Sequence, residues 1–442
     1  MNFNELNSLI KSGKPALAVH ALHEWEKDFS SHPEPLQHAI KSSDAQVLEL
    51  ALQLAEKYHP LTLGPAITGL LKSDQALIRR LAVQSLLPVM GKPAEDGLKA
   101  LFPDEKDVFV LASAVTAAAR LKIGLEYIRP YFNHPDIRLR ANTVRAAAIL
   151  GQQLLPGLLE PFLNDPALRV QNEALKGLAI LAPEKDLEQL VLQRLNSTDA
   201  PTRAATIFIT GELPLTRKTV FLISALSDLD NRVSGCAVRS LAILRDPLGM
   251  RALFECMLTS ADEKLAMQVL KQLQPQDAAR LVAFADNLGR PATALPVLIS
   301  RVLLAAESFS DWEPFLPWVL GGANRKEIAL RQQALRFIAR HIDFFRSNIG
   351  PLIEKAEASM EPVDIALAAV IRWKAGQTDG LARLRQLLSS TKIAEARAAY
   401  EVLLPDKSLI AKNLLSEARA RGLGAEPATE TQNLSGFKLP RQ

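Results

Sequence analysis

Three groups of side chains in this sequence have types and spacings that suit chemistry. The first is "HALHE", in which His20 and His23 share a helical face and Glu24 stands beside them. Their order is neither HExxH nor its inverse, and no third ligand is evident, so a solvated helix is expected and no metal. The second group is Cys236 and Cys256, too few for a disulfide framework and without metal-ligand spacing. Both lie in apolar surroundings and read as buried free thiols, which fits a reduced cytoplasmic compartment. The third group is cationic. Arg138 is followed seven residues later by Arg145, Arg169 by Lys176, Arg232 by Arg239, and Lys264 by Lys271. On a helix such pairs stand on one face, two turns apart. The residues between them on that face are Asn142, Glu173, Cys236 and Gln268, so the stripe is mostly polar.

Nothing else in the chain matches a catalytic signature. There is no GxxxxGK[ST] loop, no GxSxG elbow and no GxGxxG between a strand and a helix, and no cofactor is expected. The start "MNFNELNSLIKSGK" lacks the basic-then-apolar order of a secretory signal. No window approaches the roughly 18 apolar residues that span a bilayer. The formal net charge of +4 permits an acidic partner without requiring one, because distribution outweighs the sum.

The cations must be positioned by something, and the sequence repeats itself around them. "NDPALRVQNEALKGLAIL" from Asn164 resembles "NHPDIRLRANTVRAAAIL" from Asn133 and "LDNRVSGCAVRSLAIL" from Leu229. With Arg169 as a phase marker, equivalent positions fall at Leu48, Arg79, Phe109, Arg138, Arg203, Arg232, Lys264, Val297, Arg331, Val363 and Ile393. A small residue follows three positions later in most units, as at Ala51, Ala82, Ala112, Ala141, Ala334 and Ala366. Each unit reads as two helices joined by a turn. Asp165-Pro166 is expected as an N-cap with proline at the first helical position, and the capping acid recurs as Asp74, Asp199 and Asp228. The small residues let neighbouring helices approach closely. A helix pair of this size cannot bury its apolar side alone, so the pairs must stack. The expected fold is all-α, a solenoid of about twelve stacked pairs. Residues 1–36 are expected as an N-terminal helical cap, 37–421 as the solenoid, and 422–442 as a disordered tail.

The turn acid with proline, the apolar–arginine pair, the alanine and a period near 31 resemble HEAT-like repeats. The short period is similar to the subclass first recognised in phycobilisome chromophore lyases. In that family the repeat arginine commonly pairs with an aspartate six residues before it, along a ladder. Here those positions are Ser73, Phe132, Leu163, Ser197 and Leu226, so a capping role for the remaining acids is the stronger expectation. The resemblance also implies that the second helices line the concave surface. The eight cations Arg138, Arg145, Arg169, Lys176, Arg232, Arg239, Lys264 and Lys271 then form a basic track for a partner.

Two readings of that track stand side by side. In one, the marker cations hold acids or carbonyls of the adjacent repeat and their partners seven residues on are solvated. In the other, the track takes an acidic protein segment or, as a weaker alternative, a nucleic-acid backbone. DNA-alkylation-repeat glycosylases are HEAT-like too, but this track lacks interleaved aromatics and a catalytic carboxylate. The resemblance leaves a chromophore-lyase-like enzyme or enzyme subunit as the alternative function. Diiron HEAT-repeat hydroxylases carry several His-Glu pairs, whereas this chain has only His23-Glu24. A second feature is the aromatic run from Phe309 to Phe345, which either repacks an irregular core or offers Trp312 and Trp318 to a partner. The function expected is therefore a non-catalytic scaffold or adaptor that binds a protein.

Overall fold

In several repeats the second helix starts where an aspartate caps it. Asp107 accepts hydrogen bonds from the backbone N–H groups of Phe109 and Val110, Asp136 from Leu139, Asp199 from Thr202, and Asp262 from Lys264 and Leu265. Each bond satisfies a donor that the first helical turn would otherwise leave open. The computed structural model describes residues 2–28, 32–58, 61–151, 155–182, 186–288, 295–347 and 349–423. Among them every regular element is helical, and the fold is an α-solenoid of stacked helix pairs. Of the tail expected over residues 422–442, residues 424–442 lie outside the described residues.

The second helices, in chain order, are α1 (Ala45–Tyr58), α2 (Ala76–Gln84), α3 (Val108–Arg120), α4 (Ile137–Leu150), α5 (Leu168–Leu181) and α6 (Ala200–Thr210). They continue as α7 (Asn231–Leu244), α8 (Glu263–Leu270), α9 (Leu295–Ala306), α10 (Ile328–Arg340), α11 (Pro362–Lys374) and α12 (Ile393–Leu403). The chain divides into two compact units at Leu244 and Arg245. The first holds the helices Phe3–Lys11 and Pro15–Asp28 and then the repeats that end in α1 to α7. The second holds those that end in α8 to α12 and a closing helix, Leu409–Ala420. Ala51, Ala82, Ala112, Ala141, Ala334 and Ala366 are buried, as close helix packing requires. One close approach between second helices is at Gly177 of α5, where a β-carbon would stand 2.9 Å from the Ala148 Cβ of α4 and 2.7 Å from a Leu159 methyl.

Between repeats runs a ladder of guanidinium forks. Arg140 sits four residues after the N-cap Asp136. Its Nη1 donates to the carbonyls of His134 and Pro135, at 2.8 and 3.0 Å. Its Nε and Nη2 grip both oxygens of Asp165 in the next repeat, at 3.0 and 2.9 Å. Arg79 repeats this arrangement on Ser73, Asp74 and Glu105, and Arg203 on Ser197, Thr198 and Asp228. Arg331 makes a related contact in the second unit: it donates to the carbonyls of Arg325 and Lys326, and both its Nε and Nη2 meet one oxygen, Oδ2, of a fully buried Asp364. Each such residue ties a turn of its own repeat to an acid of the following one. In α5 the position belongs to Gln171, which still reaches the Asp165 carbonyl. There Arg194, from the helix Leu187–Leu195, enters and donates to Gln171, Asn172 and Thr206. Burial pushes its guanidinium down from its ordinary value.

Three sequence expectations are corrected by this ladder. Asp165 and Pro166 remain in the turn: α5 begins at Leu168, after Ala167, and the Asp165 carboxylate is held by Arg140 and the Ala167 N–H. Asp228 is likewise a ladder acid, and Gln75 rather than Asp74 is the N-cap of α2, so among the three recurring acids only Asp199 caps by its side chain. A ladder is present where capping was the stronger expectation, and its acid lies 25 or 26 residues after its arginine in the first unit. Finally, the phase marker merged two registers. Arg79, Arg203 and Arg331 stand four residues after their N-caps, whereas Arg138 and Arg169 stand two after theirs. Two residues are about 200° of helical turn, so the two sets face opposite sides.

Candidate functional site: the solvent face of the second helices

Counting from the N-cap, the expected cations occupy positions +2 and +9 of α4, α5, α7 and α8, with Asp230 taken as the cap of α7. At 100° per residue, positions +2, +6, +9 and +13 fall within about 40° of one line. That line lies opposite the ladder, so the ladder's ion pairs leave it free. Six of the eight cations belong to the first unit, and Lys264 and Lys271 belong to the second.

Their surroundings differ. Arg138 lies over the exposed ring of Phe109, with its guanidinium carbon 4.5 Å from the ring centre. Arg145 donates a long 3.4 Å bond to Asn142, whose own amide is held by the Ala112 carbonyl. Lys176 pairs with Glu212 at 2.6 Å, and Arg232 with Asp230 of its own turn at 2.8 Å. Arg239 is exposed beside the Cys236 sulfur, 3.3 Å away. Arg169, Lys264 and Lys271 are exposed, and their side chains make no ion pair among the described residues. The track is thus strongest where α4 joins its preceding neighbours.

There a cleft of about 360 Å³ opens between α1, α2, α3 and α4. Arg80, Arg120, Arg138 and Arg145 line it, and Glu56 is its one carboxylate. The Nε of Arg80 is buried without a hydrogen-bond partner. Arg120 donates to the carbonyls of Val83 and Gln84, at 3.2 and 2.9 Å. Burial lowers its guanidinium from its ordinary value, and the charge of Glu56 opposes that shift. Four guanidinium groups against one carboxylate form a receptor for an anion, and forked donors suit carboxylate or phosphate oxygens. Arg80 and Arg120 escape a sequence search for +2 and +9 cations because they stand at +5 of α2 and +13 of α3. Only stacking brings them to Arg138 and Arg145.

The other expected groups lie apart from this cleft. His20 and His23 are exposed, Glu24 pairs with Lys27, and no cluster able to hold a metal occurs among the described residues. Cys236 is buried and Cys256 half-buried, both are free, and burial pushes the Cys256 thiol up to about 11. In the aromatic run Phe315, Phe337 and Phe345 are fully buried. Trp312 packs on His341, Phe344 and Phe337, and Trp318 gives its N–H to Asp286 at 2.8 Å. Both tryptophans are half-buried and engaged within the second unit. A larger cavity of about 770 Å³ lies between the helices Pro247–Thr259 and Ala278–Asp286, both first helices of their repeats. It contains none of the expected cations, so size does not single out the site here. The density of unneutralised arginine favours the smaller cleft. No described helix is long and apolar enough to cross a membrane.

No family model matches this chain, and no curated protein matches it in sequence. Solved structures do resemble it. The complex of CpcE and CpcF of phycocyanin lyase from Nostoc sp. PCC7120 is 18% identical over 54% of this chain and 94% of that one, with a TM-score of 0.36. A homology model of the full-length AP-3 complex in an intermediate open conformation is 12% identical over 92% of this chain and 90% of that one, with a TM-score of 0.42. Kap121p bound to Ste12p is 14% identical, with a TM-score of 0.44; the likeness covers 95% of this chain and half of that one. Such likenesses concern the build alone. The class that the stacked pairs and their arginine ladder define is a HEAT-like α-solenoid.

Proposed function

We propose that this chain is a non-catalytic scaffold or adaptor that captures an acidic protein segment on the solvent face of its second helices. The observation that carries the proposal is the separation of cations into two sets. The ladder arginines at +4 are neutralised by the fold, whereas those of the α1–α4 cleft outnumber their acid four to one. Unpaired guanidinium groups gathered in a cleft raise the local concentration of anions and hasten their association. The finer kinship to the short-period repeats of phycobilisome lyases belongs to the same proposal. It is supported by the intervals of 31 and 32 residues between Arg140, Gln171 and Arg203. So does cytoplasmic residence, which the two free thiols support.

The test is a titration of the full chain with a fluorescein-labelled polyglutamate peptide, repeated with a single-stranded oligonucleotide. Saturable binding of the peptide is expected, with loss of about tenfold or more in the variant R80E/R138E/R145E and unchanged helicity by circular dichroism. Peptide binding that survives the triple reversal defeats the proposal. Tighter binding of the oligonucleotide, with a steep dependence on salt, replaces the protein segment by a nucleic-acid backbone.

A further inference from the structure

The same face carries a feature that charge does not explain. Position +13 is Ile149 in α4, Ile180 in α5 and Ile243 in α7, and these side chains are 57%, 68% and 81% exposed. One exposed isoleucine is ordinary, but three at one register position on one face form a row. The helices between them pack in sequence, α4 on α5, α5 on α6 and α6 on α7. In α6 position +13 is Glu212, and the apolar surface moves one turn back to Phe208, 57% exposed. In α3, one step before Ile149, position +13 is Arg120, which belongs to the arginine cleft. The row therefore leads out of the cleft as a strip of apolar knobs. About 6 Å along each helix axis from those knobs stand Arg145, Lys176 and Arg239 at +9.

We propose that this row seats an extended peptide whose acidic end enters the arginine cleft and whose apolar side chains recur at every third position. The inference rests on the capture of an acidic segment proposed above and specifies the register of that segment. The spacing decides it. Neighbouring helices stand roughly 8–10 Å apart, and three residues of polyproline II chain advance about 9 Å with every third side chain on one side. Apolar residues at a first and fourth position then meet Ile149 and Ile180. The seventh lies over α6 and carries no apolar demand, and the tenth meets Ile243. An acidic residue three places ahead of the first apolar one reaches Arg120. The intervening residues of the peptide turn toward the +9 cations. A nucleic-acid backbone has no groups for the isoleucines, which favours a peptide.

The experiment uses the full chain and three labelled peptides rich in glutamate and proline, read by fluorescence anisotropy. One has leucine at its first, fourth and tenth positions, one has the same leucines adjacent, and one has none. The spaced peptide is expected to bind about tenfold tighter than the other two. The variant I149S/I180S/I243S, with its melting temperature checked, is expected to remove that advantage and leave the weak, salt-sensitive binding of the leucine-free peptide intact. Equal affinity for spaced and adjacent leucines overturns the register and leaves acidic capture standing. Failure of all three peptides to bind overturns both. A heptad-spaced helical peptide that binds more tightly than the spaced one overturns the extended conformation.

Discussion

Arg138 and Arg140 stand two residues apart on one helix and have opposite fates. Arg140 is drawn into the seam between repeats, where two carbonyls and both oxygens of Asp165 saturate its guanidinium. Arg138 points the other way, over an exposed phenylalanine at the mouth of a cleft that holds three further arginines. Helical geometry alone separates them, since about 200° divides position +2 from position +4. One row of cations belongs to the architecture, and the row behind it is left to solvent and partners. The same division predicts very different costs for chemically identical substitutions.

The largest cost is expected where the ladder is most buried. Arg331 and Asp364 are both buried, and Arg331 is the only ion-pair partner of that carboxylate among the described residues. Arg331→Met leaves a charge without its counterion in the core, at a cost of about 3–5 kcal/mol in urea unfolding. The double variant R331M/D364N is expected to recover part of that loss. A single variant as stable as the parent would mean that the ladder is ornamental. Next comes the seam that Gly177 permits. Gly177→Ala drives a methyl against Ala148, which cannot swing aside, and about 1–3 kcal/mol is expected from the same measurement. Parental stability there would mean that α4 and α5 separate freely.

Acid should act on the ladder before it acts on the face. Burial alone would raise the Asp165 carboxyl, but the hydrogen bond from Arg140, that from the Ala167 N–H and the charge of Arg140 together hold it below its ordinary value of 3.8. At Asp228 the hydrogen bond from Arg203 is the leading cause of the same lowering. A carboxyl depressed in the folded state stabilises fully above its unfolded pKa, and that stability is lost as pH falls through the folded value. The stability difference between the parent and Arg140→Met is therefore constant above about pH 5 and shrinks below about pH 4. A difference that does not change across that window would uncouple Asp165 from Arg140.

The sequence reveals the repeat more readily than the ladder, and the reason is physical. Period, buried alanine and capping aspartate are local features, written within one helix or the turn before it, and Ala82, Ala141 and Asp199 stand where their spacing places them. The ladder is a contact across 25 residues, and its arginine hides among cations of another register. Asp165-Pro166 misleads because an aspartate before proline mimics a cap, while the carboxylate is claimed by the preceding repeat. Asn172 stands where most repeats have a small residue, and Arg194 accounts for it: its oxygen accepts from that guanidinium while its amide donates to the Ala205 carbonyl. Half of the cleft is legible as well. Arg138 and Arg145 follow the period, but Arg80 and Arg120 join them only through the stacking of α2 and α3.

The smallest effect on stability is the most telling for function. Arg138→Met forfeits one exposed cation–π contact with Phe109, worth about 0.5–1 kcal/mol, and disturbs no ion pair. Its unfolding midpoint should stay within a few tenths of a molar in urea of the parent, because methionine still covers the ring. Its affinity for an acidic peptide should nevertheless fall, and fall less at high salt, where screening has already weakened the guanidinium's pull. Arg140→Met should show the reverse: a clear loss of stability, with peptide affinity changed little at temperatures where the variant remains folded. If both variants lose stability together, the two rows are one structural system and the face has no separate role. If stability and affinity part between residues two positions apart, the helix carries a scaffold on one side and a receptor on the other.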